Sequence, residues 1–388
     1  MNSPKSSILK SLYFSSTQSI AELSDSIGKS IPSITKSINE LAKENSIIEN
    51  GLRASTGGRR AKSYSLNKEK HGLLIAVAID QFHTSITAFT TDNQQVIPTQ
   101  LIETNLNHDT KSFEKINTLI LDTLNTLKPS KILAIGITIP GFLNSESGLN
   151  NSYATTSPLY NLRDRIKTST QLPVFIENDS SAIAIVEQNF GKARETENTL
   201  VVNLSWGVGL GMIIGNKLFK GSSGYAGEFS HIPLADQNKL CSCGKKGCLE
   251  VEASLRYAIE YIHENLAKGE RSSLEDDFAL NKQITFEQLF QAFEKGDQLA
   301  IKAIKKIAYM LGKGLATLIH ILNPEKIIIS GKGAIFGNIL LNEIQSSMQE
   351  FCIPKLALQT EIQLSNLYNI QLLSSACIAV QQMKWETH

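Results

Sequence analysis

Ile20, Leu23 and Ile27 stand at helical spacing, Gly28 permits a tight turn, and Ile31, Ile34, Ile38 and Leu41 then repeat at i, i+3, i+7 and i+10. The pattern predicts two short helices, the second over residues 31–45. Pro32 falls in its first turn, where a missing N–H costs nothing. The opposite face carries Ser30, Ser33, Thr35, Lys36, Ser37 and Asn39. Short donors and acceptors with one cation suit base edges and phosphates. Residues 47–66 then alternate weakly, break at Gly57-Gly58 and bring Arg59, Arg60 and Lys62. A glycine turn bearing arginines serves as a wing for phosphate or minor-groove contact. Residues 1–69 are thus predicted to form a winged helix-turn-helix domain, with 31–45 as its recognition helix.

From about residue 70 the pattern changes. LLIAVAID reads as a buried strand and SITAFTTD as its hairpin partner; KILAIGITIPG is a further strand ending at a Pro-Gly turn. LPVFIENDSSAIAIVEQNFG predicts strand, polar turn and helix, and TLVVNLSWGVGLGMIIGNKLFKG predicts two strands about a glycine-rich turn. Ile301, Ile304, Ala308, Leu311, Leu315 and Leu318 mark a long core helix over 297–322, and NPEKIIISGKG returns to a strand. Residues 265–295 read as a helical insertion, with Thr285 and Gln288 as a capping box. Hairpins mixed with crossovers predict an α/β body of two lobes with a cleft between them. The expected division is 70–190 and 191–388, the last helix returning to the first lobe.

A chain of 388 residues with 41% hydrophobic and 19% charged content fits two or three domains and excludes wholesale disorder. Net charge is only +1, but residues 1–70 hold eleven Lys and Arg against six Asp and Glu. That head is therefore +5 and the remainder about −4, which points the head at an anionic partner. The longest apolar run is broken by Asn203, Ser205 and three glycines, so no membrane span is expected. MNSPKSSILK lacks the apolar core of a leader. Five cysteines, three of them clustered, do not make a secreted disulfide framework. A cytoplasmic protein is expected.

The cluster is CSCGKKGCLE, residues 241–250. Cys241, Cys243 and Cys248 offer three soft ligands, the glycines let the loop fold back, and His231 ten residues upstream is the nearest fourth ligand. This predicts structural zinc, since a closed Cys₃His set leaves no open coordination position for chemistry. Buried reduced thiols are the alternative, but they have no need of these glycines. Glu228 and Glu250 flank the loop and would accept from sugar hydroxyls if held in a cleft; as solvated surface acids they would do nothing. Asp179, after Asn178 at the end of LPVFIE, would orient or deprotonate a hydroxyl. Equally, the pair could simply cap the following helix.

PGF at 140–142, END at 177–179, GVGLGMIIGNKLFKG at 207–221, GYAGEFSH at 224–231 and the cysteine loop together resemble the ROK family of repressors and sugar kinases. The resemblance spans roughly residues 70–385. It implies a two-lobed actin-like (ribonuclease H-like) sugar-kinase fold behind the winged-helix head. It also implies a sugar held by Asn178, Asp179, Glu228, His231 and Glu250, with zinc on His231, Cys241, Cys243 and Cys248. The head is similar to that of the family's repressors, whose wing carries GGR like Gly57-Gly58-Arg59.

Three departures bear on function. Ser230 stands where the family usually has glycine. The family's kinases open the body with D-x-G-G-T, whose glycines let N–H groups approach ATP phosphates; here the stretch is Asp80-Gln81-Phe82-His83-Thr84. Trp206 also occupies a position where the family often has threonine. The expectation is a sugar-responsive transcriptional regulator, a repressor without kinase activity. It would pair with double-stranded operator DNA and a sugar effector, as a homodimer or homotetramer, with Asp179 a vestigial base. The alternative is an ATP-dependent sugar kinase with an added DNA-binding domain.

Overall fold

A computed structural model describes residues 3–52, 62–280, 284–367 and 370–385. It divides into two compact units, residues 1–182 with 369–388, and residues 183–368.

The first unit begins with α1 (Pro4–Ser15), β1 (Gln18–Ser19), α2 (Ile20–Ile27), α3 (Ile31–Lys43), β2 (Ile47–Leu52) and β3 (Lys62–Leu66). Helix α1 was not among the predicted elements. Its Ile8, Leu9, Leu12 and Tyr13 are buried on one face, Ser3 Oγ accepts from Ser6 N at 3.2 Å, and Pro4 opens the first turn. Ser19 and Glu22 cap α2 reciprocally, and Gly28 ends it at φ 66°. Helix α3 packs on α1 and α2 and buries Ile34, Ile38 and Leu41.

Three expectations for this helix need correction. It ends at Lys43, two residues early. Ile31, assigned to the apolar stripe, is 54% exposed. Ser37, assigned to the DNA face, is 8% exposed. Ser37 stands three residues after Ile34 and four before Leu41, so the 3.6-residue repeat turns it inward. Strands β1, β3 and β2 form a small sheet in that order.

The same unit continues with β4 (Leu73–Ile79), β5 (His83–Phe89), β6 (Gln100–Glu103), α4 (Asp109–Thr126), β7 (Ile132–Ile139), β8 (Leu143–Asn144), β9 (Leu149–Asn150), α5 (Leu162–Thr170), β10 (Val174–Asn178) and the start of α6 (Asp179–Phe190). Its five-stranded sheet runs β10-β7-β4-β5-β6. Strands β10, β7 and β4 are parallel, and β5 and β6 antiparallel. Parallel strands covered on both faces need apolar side chains on both, which is why β4 and β7 read as unbroken hydrophobic runs.

The second unit carries β11 (Thr199–Leu204), β12 (Val208–Ile214), β13 (Lys217–Leu218), α7 (Glu250–Ala253), α8 (Leu255–Leu266), α9 (Glu275–Ala279), α10 (Phe286–Glu294), α11 (Gln298–Leu322), β14 (Lys326–Ser330), α12 (Gly337–Phe351), α13 (Pro354–Ala357) and β15 (Glu361–Leu364). Its sheet runs β13-β12-β11-β14-β15. The first three strands are antiparallel and the last two add in parallel. That is the strand order and direction of the first unit repeated, though the two stretches share no visible sequence repeat. Thr285 and Gln288 form the expected capping box of α10. Asp297 Oδ1 caps α11 by accepting from Leu299 N and Ala300 N.

Helix α14 (Ile370–Gln382) belongs to the first unit, where it packs on β4, β7 and β10. Gly136 of β7 makes this possible: a Cβ there would lie 1.8 Å from Ser375 O. No helix of the described residues is long and apolar enough to cross a membrane.

Candidate functional site

On the head, Ile31, Pro32, Thr35, Lys36, Asn39, Glu40 and Lys43 line a shallow groove along α3. Lys5 lies 3.1 Å from Glu40 Oε2 and 2.7 Å from Glu44 Oε1. The acidic residue of the groove is therefore paired, and Lys36 and Lys43 leave the face net positive. Ser30, Lys36 and Asn39 are exposed, and Ser33 and Thr35 half-buried; Thr35 Oγ1 donates to Ile31 O at 2.8 Å. Ser37, buried behind this face, cannot reach a duplex. Arg59 and Arg60 lie outside the described residues.

In the second unit the cysteine loop folds back as its glycines require. Cys241 N donates to Lys245 O at 2.7 Å and Gly247 N to Lys239 O at 3.0 Å. Gly244 and Gly247 take φ of 84° and 74°, a region that penalises side chains. The loop brings His231, Cys241, Cys243 and Cys248 together, their ligand atoms all within 4.8 Å of one another. Cys243 Sγ stands 3.6 Å from Cys248 Sγ, and Cys241 Sγ 3.5 Å from His231 Nδ1. Tetrahedral zinc with ordinary bond lengths spaces two sulfurs about 3.8 Å apart and sulfur and nitrogen about 3.6 Å. The donor set and its spacing fit a metal of that kind. Burial, with the two neighbouring thiols, pushes Cys248 up to about 12; such a group ionises when a cation compensates its charge.

With Nδ1 facing the sulfurs, the other ring nitrogen of His231 points away from them. Its Nε2 lies 3.6 Å from Glu228 Oε2, on the side where a carboxylate would orient the imidazole of a metal ligand. Glu250 opens α7 beside the β11–β12 turn, where a Cβ on Gly207 would lie 3.0 Å from Glu250 Oε2. Ser230, between Phe229 and His231 in a single 3-10 turn, is buried.

In the first unit, Asn178 caps α6: its Oδ1 accepts from Ser180 N at 3.0 Å and Ser181 N at 3.2 Å. Its amide donates to Gly141 O of the PGF turn at 3.2 Å. Asp179 Oδ1 accepts from Ser180 N at 2.8 Å. Burial raises the Asp179 carboxyl above the ordinary range, opposed by its bonds to Ser180 and aided by the charge of Asp80. Capping thus falls chiefly to Asn178. Asp80 Oδ1 itself accepts from Phe82 N at 2.9 Å and His83 N at 2.7 Å.

The ROK family model matches residues 76–378. The chain belongs to the ROK family. Among its curated relatives, this ROK chain is 30% identical over 357 residues to the xylose repressor of Caldicellulosiruptor bescii, covering 88% of this chain and 86% of the relative. A crystallised ROK family transcriptional regulator, a homologue of the E. coli MLC protein, superposes with a TM-score of 0.78 at 26% identity. That match covers 97% of this chain and 96% of the other. A ROK glucokinase from Streptomyces griseus, solved with glucose and AMPPNP, superposes with a TM-score of 0.68 at 25% identity, over 80% of this chain and 100% of the kinase.

Three buried acids of this ROK chain, Glu177, Glu187 and Glu252, were given no role in the sequence reading. Glu252 accepts from Gln237 N at 2.6 Å and Asp236 N at 3.2 Å, anchoring the segment that leads into the cysteine loop. Its only signal was a second acidic residue two positions past Glu250. Glu177, 3% exposed, was quoted within END without a role.

Proposed function

We propose that the chain is a sugar-responsive transcriptional repressor. It binds operator DNA through α3 and the following hairpin, and a sugar on Asn178, Asp179, Glu228, His231 and Glu250. The observation that carries this reading is coverage. The ROK regulator matches 97% of the chain, head included, whereas the glucokinase matches all of itself on 80%. A polar, net positive helix face joined to such a body is what an operator-binding switch needs.

Zinc on His231, Cys241, Cys243 and Cys248 would be structural, holding Glu228 and Glu250 at the edges of one loop. Sugar that binds one arrangement of the protein better than another shifts the population toward it, and DNA affinity follows by linkage. A homodimer or homotetramer would present two α3 helices to half-sites about one helical turn apart.

The kinase alternative has Asp179 in its favour. Against it, the N–H groups of Phe82 and His83 are engaged by Asp80, and neither position is glycine. Phosphoryl transfer depends on donors free to close around phosphate. In a coupled assay of ATP consumption with D-xylose, D-glucose and N-acetyl-D-glucosamine, we expect no turnover above the sugar-free blank. Turnover with any of them would return the kinase reading.

Lys36→Ala is expected to weaken binding to a duplex selected by the protein from a random pool, and to reduce the log–log salt slope by about 0.9, one phosphate contact. Fluorescence anisotropy across salt concentrations measures it; an unchanged slope would remove α3 from the phosphate interface.

A further inference from the structure

Helix α14 touches both of the features that a switch must connect. At one side it meets the end of β10. Gln382 Nε2 donates to Glu177 Oε2 at 3.4 Å and to Ile176 O at 3.5 Å, and Glu177 Oε1 accepts from Asn178 N at 3.1 Å. Asn178 is thereby one residue from a buried carboxylate held by the helix. At its other side, the end of α14 and the short segment that follows it meet the head. Lys10 Nζ donates to Gln381 O at 2.8 Å, and Trp385 N donates to Ser6 Oγ at 3.0 Å.

The Trp385 half of the joint is buried. Trp385 is 3% exposed, its ring set edge-on to His71 with centroids 5.1 Å apart. His71 Nε2 lies 2.9 Å from Ser46 O, just beyond α3. The helix itself is pinned in register: Ser375 Oγ donates to Val77 O at 2.9 Å, and Gly136 admits its backbone against β7. A helix so clamped would move as a body, so that a shift of β10 at Asn178 would carry to the seat of α1.

We infer that Glu177 and Gln382 are positioning residues that couple the sugar site to the head, with α14 as the lever and the Lys10–Trp385 joint as its output. The inference rests on the sugar-responsive reading above and adds the route.

Trp206 and Trp385 are the chain's two tryptophans, so the full chain carrying Trp206→Phe reports on the joint alone. Calorimetry with D-xylose, D-glucose and N-acetyl-D-glucosamine establishes binding, and Trp385 emission is read at saturation. We expect the bound sugar to change Trp385 emission and to alter affinity for the selected duplex by about 5–150-fold. In Gln382→Met and, separately, Lys10→Met, the binding heat is expected to remain. The emission change should be lost, and the sugar's effect on duplex affinity should fall within about twofold, the coupling free energy having gone. Lys10 is half-buried on α1 and is not among the proposed sugar residues, so its variant tests the route even if Gln382→Met folds poorly. Heat without any emission change overturns this inference alone, as does an emission change that survives in both variants. No heat with any sugar overturns the functional reading and this inference with it.

Discussion

Replacing Cys243 by serine is expected to empty the His231, Cys241, Cys243 and Cys248 centre, taking zinc from about one per chain to below about 0.1. Serine offers a harder, un-ionised oxygen in place of a thiolate, and a tetrahedral site with three strong ligands loses most of its affinity for zinc. Structural zinc sites contribute on the order of 10 kcal/mol of binding free energy in small peptides. Here the large sheet and the α11–α12 core fold around other contacts, so the loss concentrates in residues 231–250. Elemental analysis gives the zinc content. Tryptic cleavage at Lys239, Lys245 and Lys246 should accelerate in the variant, and in wild-type protein treated with chelator. Full metal content in Cys243→Ser would contradict the ligand set. Sugar affinity should fall with the metal, because Glu228 faces the imidazole that the metal would hold.

Asp179→Asn is expected to weaken sugar binding by about 10–100-fold, the range for losing hydrogen bonds to a charged acceptor. Affinity for the selected duplex without sugar should be unchanged. The amide keeps the shape at the start of α6, and capping by Asn178 is untouched. The wild-type protein should also show a pH signature. Burial raises the Asp179 carboxyl above its ordinary value, and the ionised form is the acceptor. Sugar affinity is therefore full above the raised pKa and lost as pH falls through it, at a higher pH than an ordinary carboxylate would give. Calorimetry from pH 7.5 to 4.5 reads this. In Asp179→Asn the part of the fall that this carboxyl contributes should be gone, so that its profile is shallower than the wild type's; the same pH dependence in both proteins would take Asp179 out of the site.

Much of the body was legible because its elements are locally encoded. LLIAVAID and KILAIGITI read as strands since a parallel strand covered on both faces must be apolar throughout. The ends of α2, α10 and α11 follow from caps a few residues long. Helix α1 was not legible, because PKSSILKSLYFS is weakly amphipathic and is made a helix by packing on α3 and α14. Ser37 was misplaced by residue type: a small hydroxyl looks like a DNA-facing donor, yet it sits on the inward stripe. The shared strand order of the two units left no trace in the sequence, since topology constrains which strands pair and leaves most side chains free.

For the site, the sequence by itself determined the cysteine loop. Three cysteines, two glycines and a histidine within eighteen residues close a ring whose geometry is set by short chain lengths and positive φ. It also determined that Asp80 is followed by Phe82 and His83 where a phosphate cradle needs glycine. Only the tertiary structure decided that His231 presents Nδ1 to the sulfurs and Nε2 to Glu228, that Asn178 rather than Asp179 takes most of the capping, and that Gln382 reaches Glu177 across 205 residues of chain. Contacts of that span depend on strand order and on where a returning helix lands. Those are properties of the whole packed fold, and no local pattern of residues carries them.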